Sequence, residues 1–161
     1  MADVLLLGTE TPGATNQSYG YFALHRWIAL ATGTVNKIKV YSLVAGNAKV
    51  AIYADSAGEP GALLGYNNTG QACSVGWNTL SISSASVTQN AYYWLASVIE
   101  TAGVVSWYSG TTVMREKAAT YSTFTFPDPA GTGFSSYTTY VFALGGWSIP
   151  ALGRSFGYII G

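Results

Sequence analysis

The chain is expected to fold as an all-β protein, a single antiparallel β-sandwich of the jelly-roll type spanning residues 1–161. Three observations predict this. Apolar residues recur with a period of two along most of the sequence, as in strands whose side chains alternate between two faces. Clusters of Gly, Pro, Asn, Asp and Ser interrupt that alternation at roughly 8–12-residue intervals, the rhythm of sandwiches and jelly rolls. No segment carries persuasive helical periodicity.

The pattern is clearest over residues 47–66, NAKVAIYADSAGEPGALLGY. Ala48, Val50, Ile52 and Ala54 share one face, and Lys49, Ala51 and Tyr53 share the other, which reads as a half-buried strand. Asp55 to Gly61 then breaks the strand. Glycine supplies positive φ, proline removes a donor, and Asp and Ser bond their own backbone, so a tight surface loop is expected. Ala62-Leu63-Leu64 resumes the apolar run.

The other elements follow in order. Residues 4–8 form a first strand, followed by a polar loop. Residues 19–31 are nearly continuous in apolar and aromatic character, with Phe22, Leu24, Ile28 and Leu30 on one face and Tyr21, Ala23, His25, Trp27 and Ala29 on the other. This predicts a strand covered on both sides. Residues 34–44 alternate, with Ile38 and Val40 inward and Lys37, Lys39 and Tyr41 outward. Residues 67–76 read as a loop, 77–82 as a strand and 83–90 as a polar connection. The AYYWLASVI run at 91–99 is a strong strand in which Tyr92, Trp94, Ala96 and Val98 share a face. Strands are expected at 104–109 and 113–126, with Arg115-Glu116-Lys117 at a turn or exposed bend. Two prolines and two glycines make 127–133 a loop. Strands at 137–144 and 156–160 complete the set, separated by Gly145-Gly146-Trp147 and Pro150. Trp27, Trp77 and Trp94 are expected in the core.

Composition narrows the function classes. Only 9% of residues are charged and 49% are hydrophobic, with 14% aromatic and 19 glycines. Charge is far below the roughly 25% of an average domain, yet the patterned apolar content excludes disorder. The surface is therefore expected to be uncharged Ser, Thr, Asn, Gly and Tyr, suited to contact with other subunits or with neutral glycans. Net charge is zero, which leaves no basic footprint for nucleic acid. Cys73 is the single cysteine, so neither an intrachain disulfide nor a cysteine metal site is expected. No apolar run approaches the length of a membrane span. The N-terminal MADVLLLG lacks a basic region and a cleavage site, so synthesis without export is expected. A protein made inside cells but composed like one that works outside them fits a virion.

The segments TGTVNKIKVY, NAKVAIYADSAGEPGALLG, GWNTLSI and AYYWLA resemble a recurring jelly-roll β-sandwich module of bacterial and archaeal surface proteins and of phage tail, decoration and other virion proteins. That module is similar in look to carbohydrate-binding modules. The matched segments fall within residues 32–96, under half the chain. The resemblance implies a sandwich fold and an extracellular or virion setting, and it carries no functional residues.

Catalysis finds no footing in the residues. His25 is the only histidine, it lies in an aromatic strand, and no G-x-S-x-G elbow exists. The seven carboxylates, Asp3, Glu10, Asp55, Glu59, Glu100, Glu116 and Asp128, lie mostly in loops and suit solvated charges and turn formers better than an acid pair. No enzyme activity is expected. No cofactor is expected either, beyond a structural calcium in the loop of Asp55 and Glu59, where the D-x-D-x-D-G run is missing.

Saccharide rings stack on exposed aromatics flanked by amides. Tyr66 with Asn67, Trp107, Tyr108, Tyr137, Tyr140 and Trp147 are the candidate contacts for a glycan or a partner. The primary expectation is a non-enzymatic virion component, a phage capsid decoration protein or a tail or fibre component. It would self-associate as a homo-oligomer through its low-charge aromatic surface, with Gly131 to Phe134 and Gly145-Gly146 allowing close approach of chains. Other virion proteins or cell-surface glycans are the further partners expected. The alternative is an extracellular carbohydrate-binding module or lectin-like domain.

Overall fold

A computed structural model describes residues 3–148. Thirteen strands follow in chain order: β1 (Val4–Gly8), β2 (Thr15–Asn16), β3 (Tyr21–Ile28), β4 (Gly33–Ser42), β5 (Gly46–Ser56), β6 (Glu59–Cys73), β7 (Gly76–Val87), β8 (Tyr92–Ile99), β9 (Ser106–Ser109), β10 (Met114–Ala118), β11 (Ser135–Tyr137), β12 (Tyr140–Phe142) and β13 (Leu144–Ser148). All pairings are antiparallel. One sheet has the order β1-β13-β4-β7, a second β11-β10-β3-β8-β5-β6, and a small third β12-β9-β2.

Set aside β2 and β9 to β12, and eight strands remain. Numbered along the chain, they lie first-eighth-third-sixth in one sheet and second-seventh-fourth-fifth in the other. That interleaving is the double Greek key of a jelly roll, as the sequence predicts. The remaining five strands belong to two excursions. One joins the first and second framework strands and carries β2. The other joins the seventh and eighth and carries β9 to β12.

Strand chemistry sets the layers. In β4, Val35, Ile38 and Val40 are fully buried, while Lys37, Lys39 and Tyr41 are only partly covered. A bulge between Val35 and Lys37 resets the alternation, so Val35 and Ile38 reach the same core although three positions apart. Leu7, Leu80, Val87 and Leu144 join them from the same sheet, facing Ala48, Val50, Ile52, Leu95 and Ile99 from the other. Burial of each such aliphatic side chain contributes roughly 1.5–3 kcal/mol.

The six-stranded sheet is buried on its outer face as well. Phe22, Leu24, Ala51, Tyr53, Trp94, Ala96 and Val98 form a second cluster capped by Phe126 and Ala130. Residues 119–134 lie across this face as a strap. Phe22 meets Phe124, Phe134 and Phe126 at ring-centroid distances of 4.9, 5.7 and 5.8 Å. The strap's carbonyls find donors in the sheet: Lys49 Nζ donates to Tyr121 O and Phe124 O, each at 2.8 Å, and Tyr53 Oη to Pro127 O at 2.9 Å. Both β3 and β5 are thus covered on two sides. The expectation holds for residues 22–25, whereas β5 is more deeply buried than a half-exposed strand.

Several expectations need correction. Residues 67–73 continue β6 instead of looping, because the register shift between Asn67 and Gln71 bends the strand without ending its pairing with β5. Residues 83–87 extend β7, since polar Ser83, Ser84 and Ser86 face outward beside buried Ala85 and Val87. The expected strand at 113–126 shortens to β10, and the rest becomes the strap. Arg115-Glu116-Lys117 lies inside β10, not at a bend, paired with β3 and β11. The expected strand at 137–144 divides into parts of β11, β12 and β13. Gly145 and Gly146 sit within β13, where an added Cβ would meet Leu5 and Leu7 side chains, so their close approach is within the chain. Trp94 is fully buried as expected, Trp27 is half-buried, and Trp77 is 39% exposed. Residues 156–160 lie outside the described residues. Among the described residues no helix is long and apolar enough to cross a membrane.

Candidate functional site

The two excursions meet to form a cleft of about 300 Å³. The first contributes Asn16, Gln17 and Ser18. The second contributes Trp107 from β9, Met114 and Glu116 from β10, Tyr137 from β11, and Tyr140 and Phe142 from β12, and Tyr21 enters from β3. Connections carried on a rigid sandwich are a usual place for binding residues.

The aromatic wall is ordered by contact. Trp107 stands edge-on to Tyr140, with ring centroids 4.7 Å apart and planes at 81°, and Tyr140 meets Tyr137 at 5.9 Å and 60°. Trp107 Nε1 donates to Asn16 O at 3.1 Å, which ties the indole to the facing excursion. The pairings of β9 with both β12 and β2 hold these residues on one small sheet. Tyr21 and Tyr137 remain 38% exposed.

Polar groups converge on the same space. Gln17 is only 4% exposed, and neither its amide nitrogen nor its amide oxygen has a hydrogen-bond partner. Its backbone is fixed by Gln17 N donating to Val105 O and by Gly103 N donating to Gln17 O, both at 3.0 Å. An unpaired buried amide costs about 1–3 kcal/mol, so this one is poised for a ligand or ordered water. Glu116 is half-buried. Burial pushes its carboxyl above the ordinary carboxylate range, opposed by the hydrogen bond that the Tyr137 hydroxyl offers. Beneath the floor lies His25, which is fully buried, meets the Phe142 ring at a centroid distance of 4.1 Å with the planes tilted by 45°, and has both ring nitrogens unpartnered. Desolvation depresses its pKa to about 3, so it is neutral at physiological pH.

The structure brings together three of the seven expected contact residues, Trp107, Tyr137 and Tyr140. Tyr108 follows Trp107 on β9 and so points away, its hydroxyl donating to Thr9 Oγ1 at 3.2 Å. Tyr66 is 43% exposed, but on β6. Asn67 serves the fold: Nδ2 donates to Ser81 O at 3.0 Å, and Oδ1 accepts from Gly70 N at 2.9 Å. Trp147 is no platform, because it is 9% exposed within β13 with the Lys39 ammonium 4.0 Å from its ring centroid.

The calcium expectation at Asp55 and Glu59 meets two arginines instead. Asp55 accepts Arg26 Nε at 2.7 Å and Nη2 at 3.0 Å, together with Trp94 Nε1 at 2.8 Å and Gly58 N at 3.0 Å. Glu59 accepts Arg115 Nη2 at 2.6 Å and Nε at 2.9 Å. The guanidinium groups hold both carboxyls below the usual carboxylate range. Carboxylates engaged bidentately in this way offer few lone pairs to a cation. Among the described residues no group of three or more His, Cys, Asp or Glu side chains is placed to hold a metal ion.

Gln17, Glu116 and Tyr21 escaped the sequence reading. The one signal for Glu116 was the strand period itself: in Arg115-Glu116-Lys117, alternation sends the acid to the face opposite the two bases. Gln17 sits in an irregular polar stretch, and no periodicity marks it. No protein-family model, curated protein or solved structure matches the chain.

Proposed function

We propose that this protein is a non-enzymatic binding module in which a jelly roll presents a saccharide-binding cleft between its two excursions. The observation that carries the reading is the Trp107–Tyr140–Tyr137 wall in a cleft also lined by Gln17, whose buried amide has no partner. Aromatic faces take the C–H surface of a sugar ring, and an amide with a free donor and a free acceptor matches a hydroxyl, which offers both. Glu116 is the one carboxylate lining the cleft, so the acid pair of a glycoside hydrolase has no second member there. The test is binding of the purified protein to a panel of immobilised polysaccharides, repeated with Trp107→Ala. Retained binding by a folded Trp107→Ala variant would remove the cleft as the site.

A second reading, a virion decoration, tail or fibre component that assembles through an uncharged aromatic surface, has its own observation. Every described basic side chain is engaged within the chain: Arg26, Lys37, Lys39 and Arg115 in ion pairs, Lys49 and Lys117 on strap carbonyls. Outside the cleft, Ile28, Leu30 and Tyr92 stay 41–53% exposed, with Ile28 and Tyr92 directly paired across β3 and β8. Apolar and aromatic surface with little free charge suits a protein partner. Absolute mass by light scattering across a dilution series tests it, a stable closed oligomer favouring assembly. The two roles are compatible in a virion protein that adheres to host glycans.

A further inference from the structure

We propose that the saccharide taken by this cleft carries a protonated amine, an unacetylated hexosamine unit whose ammonium seats against Glu116 within the aromatic wall. The inference rests on the saccharide reading above and adds the ligand's charge to it.

Three observations point the same way. First, the cleft lining contains one acidic residue and no basic one. The bases flanking Glu116 in sequence are turned to the opposite face of β10. There Arg115 pairs with Glu59, and Lys117 Nζ donates to Ala130 O at 3.1 Å. Among the described residues no ion pair reaches Glu116. A half-buried carboxylate without a cation of its own is electrostatically incomplete, and a ligand cation completes it.

Second, the carboxylate is ringed by aromatics. Tyr21, Trp107, Tyr137 and Tyr140 share the cleft with it. Aromatic faces carry negative potential and attract ammonium groups within about 6 Å, and desolvation strengthens the attraction. A neutral sugar would use the stacking alone and leave the carboxylate with its Tyr137 hydrogen bond but no counter-charge. An anionic sugar would be repelled by it. An amino sugar uses both.

Third, the Gln17 amide remains for a hydroxyl. Gln17 is one of the lining residues and its two amide atoms are buried without partners, so a ring hydroxyl that reaches them gains both a donor and an acceptor beside the ammonium acceptor. An aminohexose presents both groups on one ring, whereas a simple alkylammonium would leave Gln17 unsatisfied.

The experiment compares glucosamine tetramer with N-acetylglucosamine tetramer by calorimetric titration against wild type and Glu116→Gln, alongside the polysaccharide panel. Far-UV circular dichroism and the thermal midpoint confirm that the variant is folded. Wild type is expected to bind the glucosamine tetramer about tenfold tighter, the scale of one desolvated cation–π and charge contact. The preference should shrink as salt rises. Glu116→Gln should bind both tetramers alike, near the wild-type affinity for the acetylated one. Equal affinities in wild type, or a preference that survives in Glu116→Gln, would overturn the inference and leave the saccharide reading standing. So would binding to neutral or acidic polysaccharides without binding to glucosamine. Failure to bind any saccharide would overturn both.

Discussion

Trp107 stands nearly perpendicular to Tyr140, their ring centroids 4.7 Å apart, and its indole N–H donates to Asn16 O on the neighbouring strand β2. The pair joins both excursions of the jelly roll at one point, so Trp107 is at once a wall of the cleft and a clasp. Trp107→Ala should lower saccharide affinity at least about tenfold, as loss of a central aromatic anchor does. It should also cost about 2 kcal/mol of stability, less than a fully buried Trp because Trp107 is only partly buried. Trp77→Ala, which removes an exposed ring edge-on to Tyr41 at 5.3 Å, should leave binding unchanged. Titration of both variants beside a denaturation curve separates the two effects.

His25 makes stability depend on pH. Burial pushes its folded pKa down to about 3 from the ordinary imidazole value of about 6.5, so below pH 6.5 the unfolded chain takes up a proton that the folded chain refuses. Stability is therefore full above about 6.5 and falls as pH drops toward 3, at roughly 1 kcal/mol per pH unit once well below 6.5. His25→Phe should flatten this slope between pH 7 and 5, above the range where carboxylates titrate. It should also raise stability at pH 7 or leave it unchanged, since both nitrogens lack partners. Urea midpoints at the two pH values decide it.

The strap depends on Lys49. Its ammonium, on a residue 6% exposed, holds the carbonyls of Tyr121 and Phe124 and lies 4.7 Å from the Tyr121 ring centroid. Lys49→Met keeps the stem and strands both carbonyls, costing about 2–3 kcal/mol. Limited proteolysis should then cut within residues 119–134 before anywhere else in the described chain. An unchanged cleavage pattern would show that the aromatic contacts of Phe22 suffice.

Much of the fold was readable because burial on one face writes itself as alternation. Val35 to Tyr41 in β4 show it, whereas β8 is buried on both faces from Trp94 to Ile99 and reads as an apolar run. The loop expected over 55–61 narrows to Ala57-Gly58, because Asp55 and Ser56 pair with Pro60 and Glu59 as the ends of β5 and β6. The strap was not readable, since Phe124 and Phe126 alternate like a strand while the carbonyls of Tyr121 and Phe124 bond to a lysine 70 or more residues away. The tryptophans show the same limit: Trp77 and Trp147 exchange their expected places because burial there depends on which neighbour covers the ring. Lys39 covers Trp147, while Trp77 lies on an edge strand. At the cleft, the aromatic residues stood out by type, but Gln17 and Glu116 became visible only when the two excursions met.

Asp55 is the polar centre of the opposite side of the six-stranded sheet. It accepts both the Arg26 guanidinium and the indole N–H of fully buried Trp94. Asp55→Ala should cost about 3 kcal/mol, because a buried donor and a charge lose their partner together. The Arg26 contact lowers the Asp55 pKa, so its contribution is present above the ordinary carboxylate pKa and lost as pH falls through the lowered value. Denaturation of the variant should show a shallower loss of stability below pH 4 than wild type.

The most direct measurement follows the five tryptophan indole N–H signals by nuclear magnetic resonance while a saccharide that binds in the panel is added. The Trp107 signal should shift in proportion to occupancy, while those of Trp94, sealed in the core, and Trp77, on the far edge strand, stay in place. A shift confined to Trp77, or none at saturation, would contradict a binding site between the two excursions.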